Sequence, residues 1–463
     1  MLSARDLTLF TVSGIIVLDQ LASSAAIGAS ALGWWVVTLV FFAAPYAAIT
    51  AELGSAWPSQ GGFYNWIAMA FGRRWAARAT WYYWVQLAIW VPSVAILGAS
   101  MMSQLFWPEL AMDRKIAFAM AFIVSIGVAS SLRTEVGKWI PNMGALVKVV
   151  ILLIIGLSGT RLVLTGEATT DFSLPSMMPS YDSAVNFLPV IVFNLMGFEL
   201  MASAGGEIRK PSRTIPTAIL FSVIIIGALY IFATFGVLAA LPAEDIVLDT
   251  GVIEALKIMF TAAPGGSLIV TALGVAIVLT LITNMVTWTI GANRSAQAAA
   301  DQGVLPHIFS YRLPNSSVPV AANAMLVLLS CSVIWIYAIM TVSVEDLFWT
   351  LLAFSSILFF IPYIMIFVAF LRLRYTAPER ARPYRVPGGK VGALIATALS
   401  LFFVAQAMLL FVYVPGSAVD WEYTLSILGG VAVAVWVGEC LLGRPDTGET
   451  YQDERPGLGL TSV

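Results

Sequence analysis

Charged side chains are scarce in this chain. Lysine, arginine, aspartate and glutamate together supply 11% of its 463 residues, whereas hydrophobic residues supply 59%. Soluble domains carry about 25% charged residues, and the mean hydropathy here is +0.89. The composition therefore excludes an ordinary soluble domain and predicts a polytopic membrane protein. The sequence also lacks a basic patch, so nucleic acid is not an expected partner.

Cysteine and histidine are nearly absent. Cys331 and Cys440 both lie inside predicted spans, where a thiol is typically an apolar packing residue. Neither cysteine lies in a predicted outer loop, where a covalently attached partner subunit would bind. The single histidine, His307, lies in a predicted cytoplasmic loop, and no cluster has metal-ligand spacing. We therefore predict no metal site and no cofactor, and a membrane enzyme is disfavoured.

Long polar segments are also lacking, and hydrophobic runs fill the chain instead. A membrane-spanning helix needs about 20 residues to cross roughly 30 Å of hydrocarbon. Such segments are predicted near residues 7–29, 33–53, 77–106, 115–132, 138–164, 184–208, 213–240, 266–300, 318–341, 346–372, 391–414 and 422–442. We expect an all-α membrane protein with a single transmembrane domain over 1–442, embedded in the lipid bilayer, and a tail over 443–463.

Basic residues are unevenly distributed among the loops. If the N-terminus is cytoplasmic, the inner loops hold most of them, including the six between Arg372 and Lys390. The outer loops then hold only Arg114, Lys115, Arg161 and Lys257. This bias follows the positive-inside rule and predicts a plasma-membrane protein with both termini in the cytoplasm.

Two of the hydrophobic segments are interrupted near their middles, and each interruption holds a carboxylate. Asp19 lies in a segment weakened by Gly14, and Glu199 lies two residues after Gly197. A charge at mid-bilayer depth costs about 2.5 kcal/mol or more, so it usually faces a cavity or a partner. Broken helices in corresponding positions of two halves are typical of a transporter's central site. The alternative for Asp19 is a small-residue helix interface close to a membrane surface.

Residues beside the interruptions and on other spans complete the predicted substrate site. Trp288 lies too deep in its span to be an interfacial anchor, which is the role predicted for the Trp34-Trp35 pair. Pro92 predicts a kink that places neighbouring side chains in the same cavity. The predicted substrate-binding residues are Asp19, Gln20, Ser23, Trp90, Ser93, Phe193, Asn194, Gly197, Glu199, Trp288 and Ser355.

Two further charged residues have open interpretations. Lys148 either extends toward the inner membrane surface or places its ammonium group where another transporter would bind sodium. In the second case Lys148 and Glu199 are the residues that couple transport to another ion. Glu207 lies beside a basic turn and is predicted to pair with Arg or Lys at the inner surface.

Three motifs resemble the amino acid–polyamine–organocation superfamily of transporters over nearly the whole chain. They are the segment from Ala51 to Tyr64 after the second span, Gly197-Phe198-Glu199 with the following turn to Pro216, and the stretch from Trp288 to Pro306, which is similar to the arginine/agmatine antiporter. One stretch departs from the family pattern. Val17 to Ser23 stands where most members have a Gly-Ser-Gly loop that holds the substrate carboxylate, and glutamate/GABA antiporters also vary there.

The resemblance implies an inverted repeat of five plus five helices, at about 7–164 and 184–372, with two additional helices over 391–442. It implies alternating access around a central site between helices one, three, six, eight and ten. It also implies that Phe193 and Trp288 act as gate or stacking aromatics, that Glu199 supports the site, and that Lys148 replaces sodium.

We therefore expect a secondary transporter for an amino acid or polyamine, independent of sodium and either proton-coupled or exchanging. An acidic pair of Asp19 and Glu199 would favour a cationic group. The alternative is an exchanger of neutral or acidic amino acids in which Asp19 is structural. A channel or a membrane enzyme is less favoured. Expected partners are a small-molecule substrate, protons and, as an open possibility, a second copy in a homodimer.

Overall fold

The computed structural model describes residues 3–18, 20–58, 61–108, 110–132, 139–208, 210–312, 318–340 and 343–442. The regular elements in these ranges are helices. In chain order they are α1 (Ala4–Ile15), α2 (Leu21–Ala25), α3 (Ser30–Thr38), α4 (Ala44–Ala56), α5 (Phe63–Phe71), α6 (Arg73–Phe106), α7 (Met112–Ser130), α8 (Trp139–Thr165), α9 (Leu174–Met177), α10 (Tyr181–Ala184), α11 (Leu188–Asn194), α12 (Pro211–Ala240), α13 (Gly251–Phe260), α14 (Gly266–Asp301), α15 (Val320–Met340), α16 (Val344–Thr376), α17 (Gly389–Val412) and α18 (Trp421–Leu441). A π-helical turn, Leu39–Ala43, joins α3 to α4, and 3₁₀ segments cover Phe198–Glu207, Ala243–Asp245 and His307–Ser310.

Each of the twelve predicted hydrophobic segments overlaps one of these helices or a pair of them. By length and composition, eight of the described helical segments can cross a membrane. The predicted all-α membrane fold is therefore confirmed, and about twelve spans agree with it. The division into inverted repeats and added helices stays a prediction.

The two predicted interruptions are breaks in helical structure. The helix α1 ends at Ile15 and α2 begins at Leu21, so Gly14 lies in the last turn of α1 rather than inside the break. The second break follows Asn194, and Gly197 there has φ of 121°, a conformation that favours glycine. A Cβ atom at Gly197 would lie 3.0 Å from the Ile15 side chain and 3.1 Å from the Trp288 ring. The two breaks and α14 therefore meet at Gly197.

The centre of the bundle is α6, whose residues are buried along most of its length. It packs against α5, α7, α14, α15, α16 and α18. A second close contact joins α8 to α12, where a Cβ atom at Gly159 would lie 2.5 Å from the Cα atom of Gly236. Small residues allow two backbones to approach this closely in a membrane.

The predicted interfacial role of the Trp34-Trp35 pair is wrong for Trp35. Its ring is fully buried, stacks on Tyr230 with centroids 4.7 Å apart, and donates from Nε1 to Thr234 Oγ1 at 3.0 Å. The physical reason is that α3 packs against α12, which covers this side of the helix. Trp34 is only partly buried and donates from Nε1 to the Ser180 carbonyl at 2.9 Å.

Candidate functional site

Lys148, on α8, binds the first helix break directly. Its Nζ donates to the carbonyl oxygen of Ser13 at 2.7 Å and to that of Ile16 at 2.6 Å. The side chain is 1% exposed, so it does not extend to the membrane surface. A broken helix leaves carbonyls without intrahelical partners, and in a membrane they require partners from the protein. The Lys148 ammonium group supplies such donors and places a positive charge at the break.

Three more side chains bind the backbone of the same break. Asn284 Nδ2 and Trp288 Nε1, one turn apart on α14, donate to the Gly14 carbonyl at 3.0 and 2.8 Å. The Tyr230 hydroxyl accepts from the amide of Val17 at 2.8 Å. Trp288 thus contacts both breaks, through a hydrogen bond to the first and ring packing against the second.

Glu199, at the second break, is held by tyrosines from three different helices. Its Oε1 accepts from the hydroxyls of Tyr83 on α6 at 2.9 Å and Tyr363 on α16 at 2.7 Å, and its Oε2 accepts from Tyr46 on α4. The Tyr46 hydroxyl also accepts from the Gly197 amide at 3.1 Å. Glu199 is 1% exposed and forms no ion pair with Lys or Arg among the described residues. We call this group the Glu199 cage.

Four aromatic rings form a closed cycle beside the cage. Trp90 contacts Phe193 and Trp288, with centroids 5.3 and 5.6 Å apart, and Phe359 contacts the same two residues, each at 5.4 Å. We call these four side chains the aromatic box. The ring of Tyr83 joins it to the Glu199 cage through contacts of 6.0 Å with Trp288 and 5.7 Å with Phe359. All four rings are buried, so the box is closed to solvent in this structure.

Several predicted site residues have buried polar atoms without a hydrogen-bond partner among the described residues. They are both amide atoms of Gln20, the Ser23 hydroxyl, the Trp90 Nε1 and the Asn194 Oδ1. The amide nitrogen of Asn194 is used, since it donates to Ser24 Oγ at 3.3 Å. Buried polar groups are normally paired with protein or water, so these atoms mark positions where a bound molecule or a water would complete the pairing.

Ser93 and Ser355 use their hydroxyls within the protein. Ser93 Oγ donates to the Phe348 carbonyl at 3.1 Å, which ties α6 to α16, and Ser355 Oγ donates to the Leu352 carbonyl of its own helix at 2.9 Å. Their hydroxyl hydrogens are therefore not available to a substrate, although their oxygens can still accept. Asp19 and the Glu207 side chain lie outside the described residues.

A second buried carboxylate, Glu52 at the end of α4, binds the segment between α16 and α17. Its Oε1 accepts from Arg374 Nε at 2.9 Å, and its Oε2 accepts from the Val386 amide at 2.7 Å. Arg382 Nε lies 3.2 Å from Oε1, and the Arg382 guanidinium lies over the Trp57 ring at 5.5 Å. Burial lowers the pKa of Arg382, and the charge of Glu52 opposes that shift. We call this group the Glu52 cluster.

Sequence reasoning missed several residues that contact the predicted ones. Tyr46, Tyr83, Tyr363 and Phe359 were assigned no role, and Glu52 was noted only as part of a motif. Tyrosines inside spans are the available signal, because a hydroxyl buried in a membrane needs a polar partner. Which partner each one has is not encoded locally.

Comparisons with known proteins identify the family of the chain and its fold. The family model described as amino acid permease matches residues 2–433. The probable agmatine/putrescine antiporter AguD of Lactococcus lactis is 32% identical over 433 residues, which cover 93% of this chain and 92% of the relative. The glutamate/gamma-aminobutyrate antiporter of the same species is 24% identical, covering 81% and 76%. A manganese transporter from Eremococcus coleocola shares the fold, with a TM-score of 0.61, 11% identity, and 95% and 93% of the two chains covered.

Proposed function

Because the chain belongs to the amino acid permease family and is a membrane-embedded secondary transporter rather than an enzyme, we propose that it exchanges cationic amines across the plasma membrane. The observation that carries the proposal is the Glu199 cage next to the aromatic box. A carboxylate in a low-dielectric site attracts a cation, and aromatic faces attract an ammonium or guanidinium group. The relative AguD, named for agmatine and putrescine, supports the same substrate class.

In this proposal, protons, Glu199 and Lys148 couple transport to a second ion or replace it. A proton carried by Glu199 in the empty site would be displaced by an arriving ammonium group, since the two positive charges compete for one carboxylate. Lys148 supplies a fixed positive charge at the first break, so transport does not need sodium. Asp19 is proposed as a second carboxylate for the substrate on the basis of its position in the sequence.

Alternating access requires the aromatic box and the Glu199 cage to open at different times. The cage joins the second break to α4, α6 and α16, so its hydrogen bonds must exchange when these helices separate. We propose that Phe193 and Trp288 close over the bound amine and that the cage closes the path on its other side.

A second candidate function is exchange of a neutral or acidic amino acid. Among the described residues Trp90 Nε1 and Gln20 Nε2 have no acceptor, and a substrate carboxylate would supply one. The glutamate/gamma-aminobutyrate antiporter relative is in agreement with this alternative.

Counterflow in proteoliposomes distinguishes the two functions. Labelled putrescine, agmatine, arginine, glutamate and serine are tested in sodium-free buffer at an acidic and a neutral pH, with protein-free liposomes as the blank. We expect putrescine and agmatine to exchange fastest. Exchange of glutamate or serine without exchange of any amine would overturn the proposal and favour the second function.

A pair of tryptophan variants ties the result to the site. Trp288→Leu removes a ring of the aromatic box and should raise KM for the amine by about tenfold or more. Trp436→Leu removes a ring that is 67% exposed on the outside of α18 and should leave KM unchanged. If both changes alter KM equally, the aromatic box does not bind the transported amine.

A further inference from the structure

Gln86, in the middle of α6, is a buried amide that nothing in the described protein satisfies. The residue is 1% exposed, and both its Oε1 and its Nε2 lack a hydrogen-bond partner among the described residues. Burying an amide without partners is unfavourable by about 1–3 kcal/mol in proteins. A hydrophobic side chain would fill the same space without this cost, so the amide requires a functional explanation.

The position of Gln86 on α6 places it beside the aromatic box. Tyr83 precedes it by three residues and Trp90 follows it by four, and residues at these spacings share one face of a helix. Both neighbours contact the Trp288 ring, at 6.0 and 5.6 Å. Gln86 therefore lies between Tyr83, which belongs to the Glu199 cage, and Trp90, which belongs to the aromatic box.

Two contacts between α6 and α16, which run antiparallel, show which residues of α16 lie beside Gln86. Ser93 Oγ donates to the Phe348 carbonyl, and farther along both helices the Tyr83 ring contacts Phe359. Gln86 lies between Ser93 and Tyr83, so it is level with residues 355–356 of α16. The opposite turn is thus the one that holds Ser355 and its neighbour.

The turn opposite Gln86 offers acceptors and no free hydroxyl hydrogens. Ser355 Oγ and Ser356 Oγ donate to the Leu352 carbonyl at 2.9 and 2.7 Å, so their remaining lone pairs can only accept. Together with Gln86 Oε1, three oxygens are available at this level. A group rich in N–H donors fits such a set.

We propose that Gln86 binds the second nitrogen of a substrate whose first nitrogen lies next to Glu199. This inference rests on the proposed function, since it concerns how the same site selects among amines. Gln86 Oε1 accepts a hydrogen bond from the far ammonium or guanidinium group, and the serine oxygens of α16 accept others. Gln86 is thereby a specificity residue that distinguishes diamines from amines with one nitrogen.

The test compares diaminobutane with butylamine, which differ in the second nitrogen. In wild-type proteoliposomes we expect the KM for diaminobutane to be lower than the inhibition constant of butylamine. Gln86→Met keeps the length and approximate volume of the side chain but removes both hydrogen-bonding groups. It should raise KM for diaminobutane by about tenfold and leave the inhibition constant of butylamine unchanged.

Gln104→Met is the matched control on the same helix. Gln104 lies near the other end of α6, where its Nε2 donates to Glu254 Oε1 at 3.1 Å. Its replacement should leave the ratio of the diaminobutane KM to the butylamine inhibition constant at the wild-type value.

The outcomes separate this inference from the proposed function. If wild-type protein transports neither amine, the proposed function is wrong and the inference fails with it. If diaminobutane is transported but Gln86→Met leaves the ratio of its KM to the butylamine inhibition constant unchanged, Gln86 does not select between the two amines. The inference alone is then overturned. Should Gln86→Met not fold, as judged by size-exclusion chromatography, Gln86→Glu decides. A lower KM for diaminobutane alone would support the inference, and an unchanged KM would overturn it.

Discussion

At the scale of single residues, the arrangement around Glu199 explains how a carboxylate is kept inside a membrane bundle. Three tyrosine hydroxyls donate to it, and the described residues supply no cation. Hydrogen bonds to a charged acceptor are stronger than those between neutral groups, which offsets part of the cost of burial. The same carboxylate lacks a fixed positive partner, so a mobile cation can take that role.

Glu199→Gln is predicted to impair transport and to change its dependence on pH. A glutamine has one acceptor oxygen and an amide group that donates, so it cannot accept all three tyrosine hydroxyls and cannot bind or release a proton. We expect amine counterflow to fall by about tenfold or more and the difference between acidic and neutral pH to disappear.

The control is Glu439→Gln, which removes a carboxylate that pairs with Arg78 at 2.5 Å but is 36% exposed. Exposed pairs contribute little, so its transport rate and pH profile should match those of the wild-type protein. A Glu199→Gln variant with wild-type rate and profile would remove Glu199 from the mechanism.

At the scale of elements, the Glu52 cluster joins helices and a loop that are far apart in the sequence. It joins the end of α4 to Arg374 in the last turn of α16 and to the segment that leads into α17. Arg380 contributes from the same segment, donating from Nε to the Ala56 carbonyl at 3.0 Å. This end of the bundle is therefore held by a buried charge network rather than by apolar packing alone.

Glu52→Gln is predicted to destabilise the folded protein. Removing one partner of a buried ion pair leaves the other charge uncompensated, at a cost of about 3–5 kcal/mol. We expect a lower Tm in detergent, followed by tryptophan fluorescence, together with faster proteolysis between α16 and α17.

Glu379→Gln is the matched control, because Glu379 lies in the same segment and is exposed. Its Tm should equal that of the wild-type protein. Equal Tm values for both variants would show that the Glu52 cluster does not stabilise the bundle.

At the scale of the whole molecule, the distribution of basic residues predicts how the bundle is oriented. The chain is a multi-pass membrane protein, and we propose that both termini are cytoplasmic. On this orientation the segment between α16 and α17 faces the cytoplasm, and the segment between α17 and α18 faces the outside. The predicted homodimer is a separate proposal that orientation does not address.

Cysteine labelling tests the orientation. In a variant with Cys331 and Cys440 replaced by serine, one cysteine is introduced at either of two exposed positions, Ser417 or Glu379. A membrane-impermeant maleimide should label Ser417→Cys in intact cells and Glu379→Cys only after permeabilisation. The reverse pattern would invert the proposed topology, and transport activity of both variants is the control for correct folding.

The sequence by itself determined the class of the protein, the positions of its spans and the presence of two breaks. Hydropathy over about 20 residues is a local free energy of transfer, so it can be evaluated without knowing the neighbours. Gly197 is informative for a similar reason, since a positive φ is a local property that favours glycine. The three motifs that resemble the permease family are likewise contiguous stretches.

Only the tertiary structure decided which polar side chains meet. The tyrosines of the Glu199 cage lie 153, 116 and 164 residues from Glu199 in the chain, and no local pattern links them. Lys148 shows the same limit: its sequence allowed either a membrane-surface position or a buried one. The packing of α8 against α1 decided for the buried position, because it brought the carbonyls of Ser13 and Ile16 at the helix break within reach of the ammonium group.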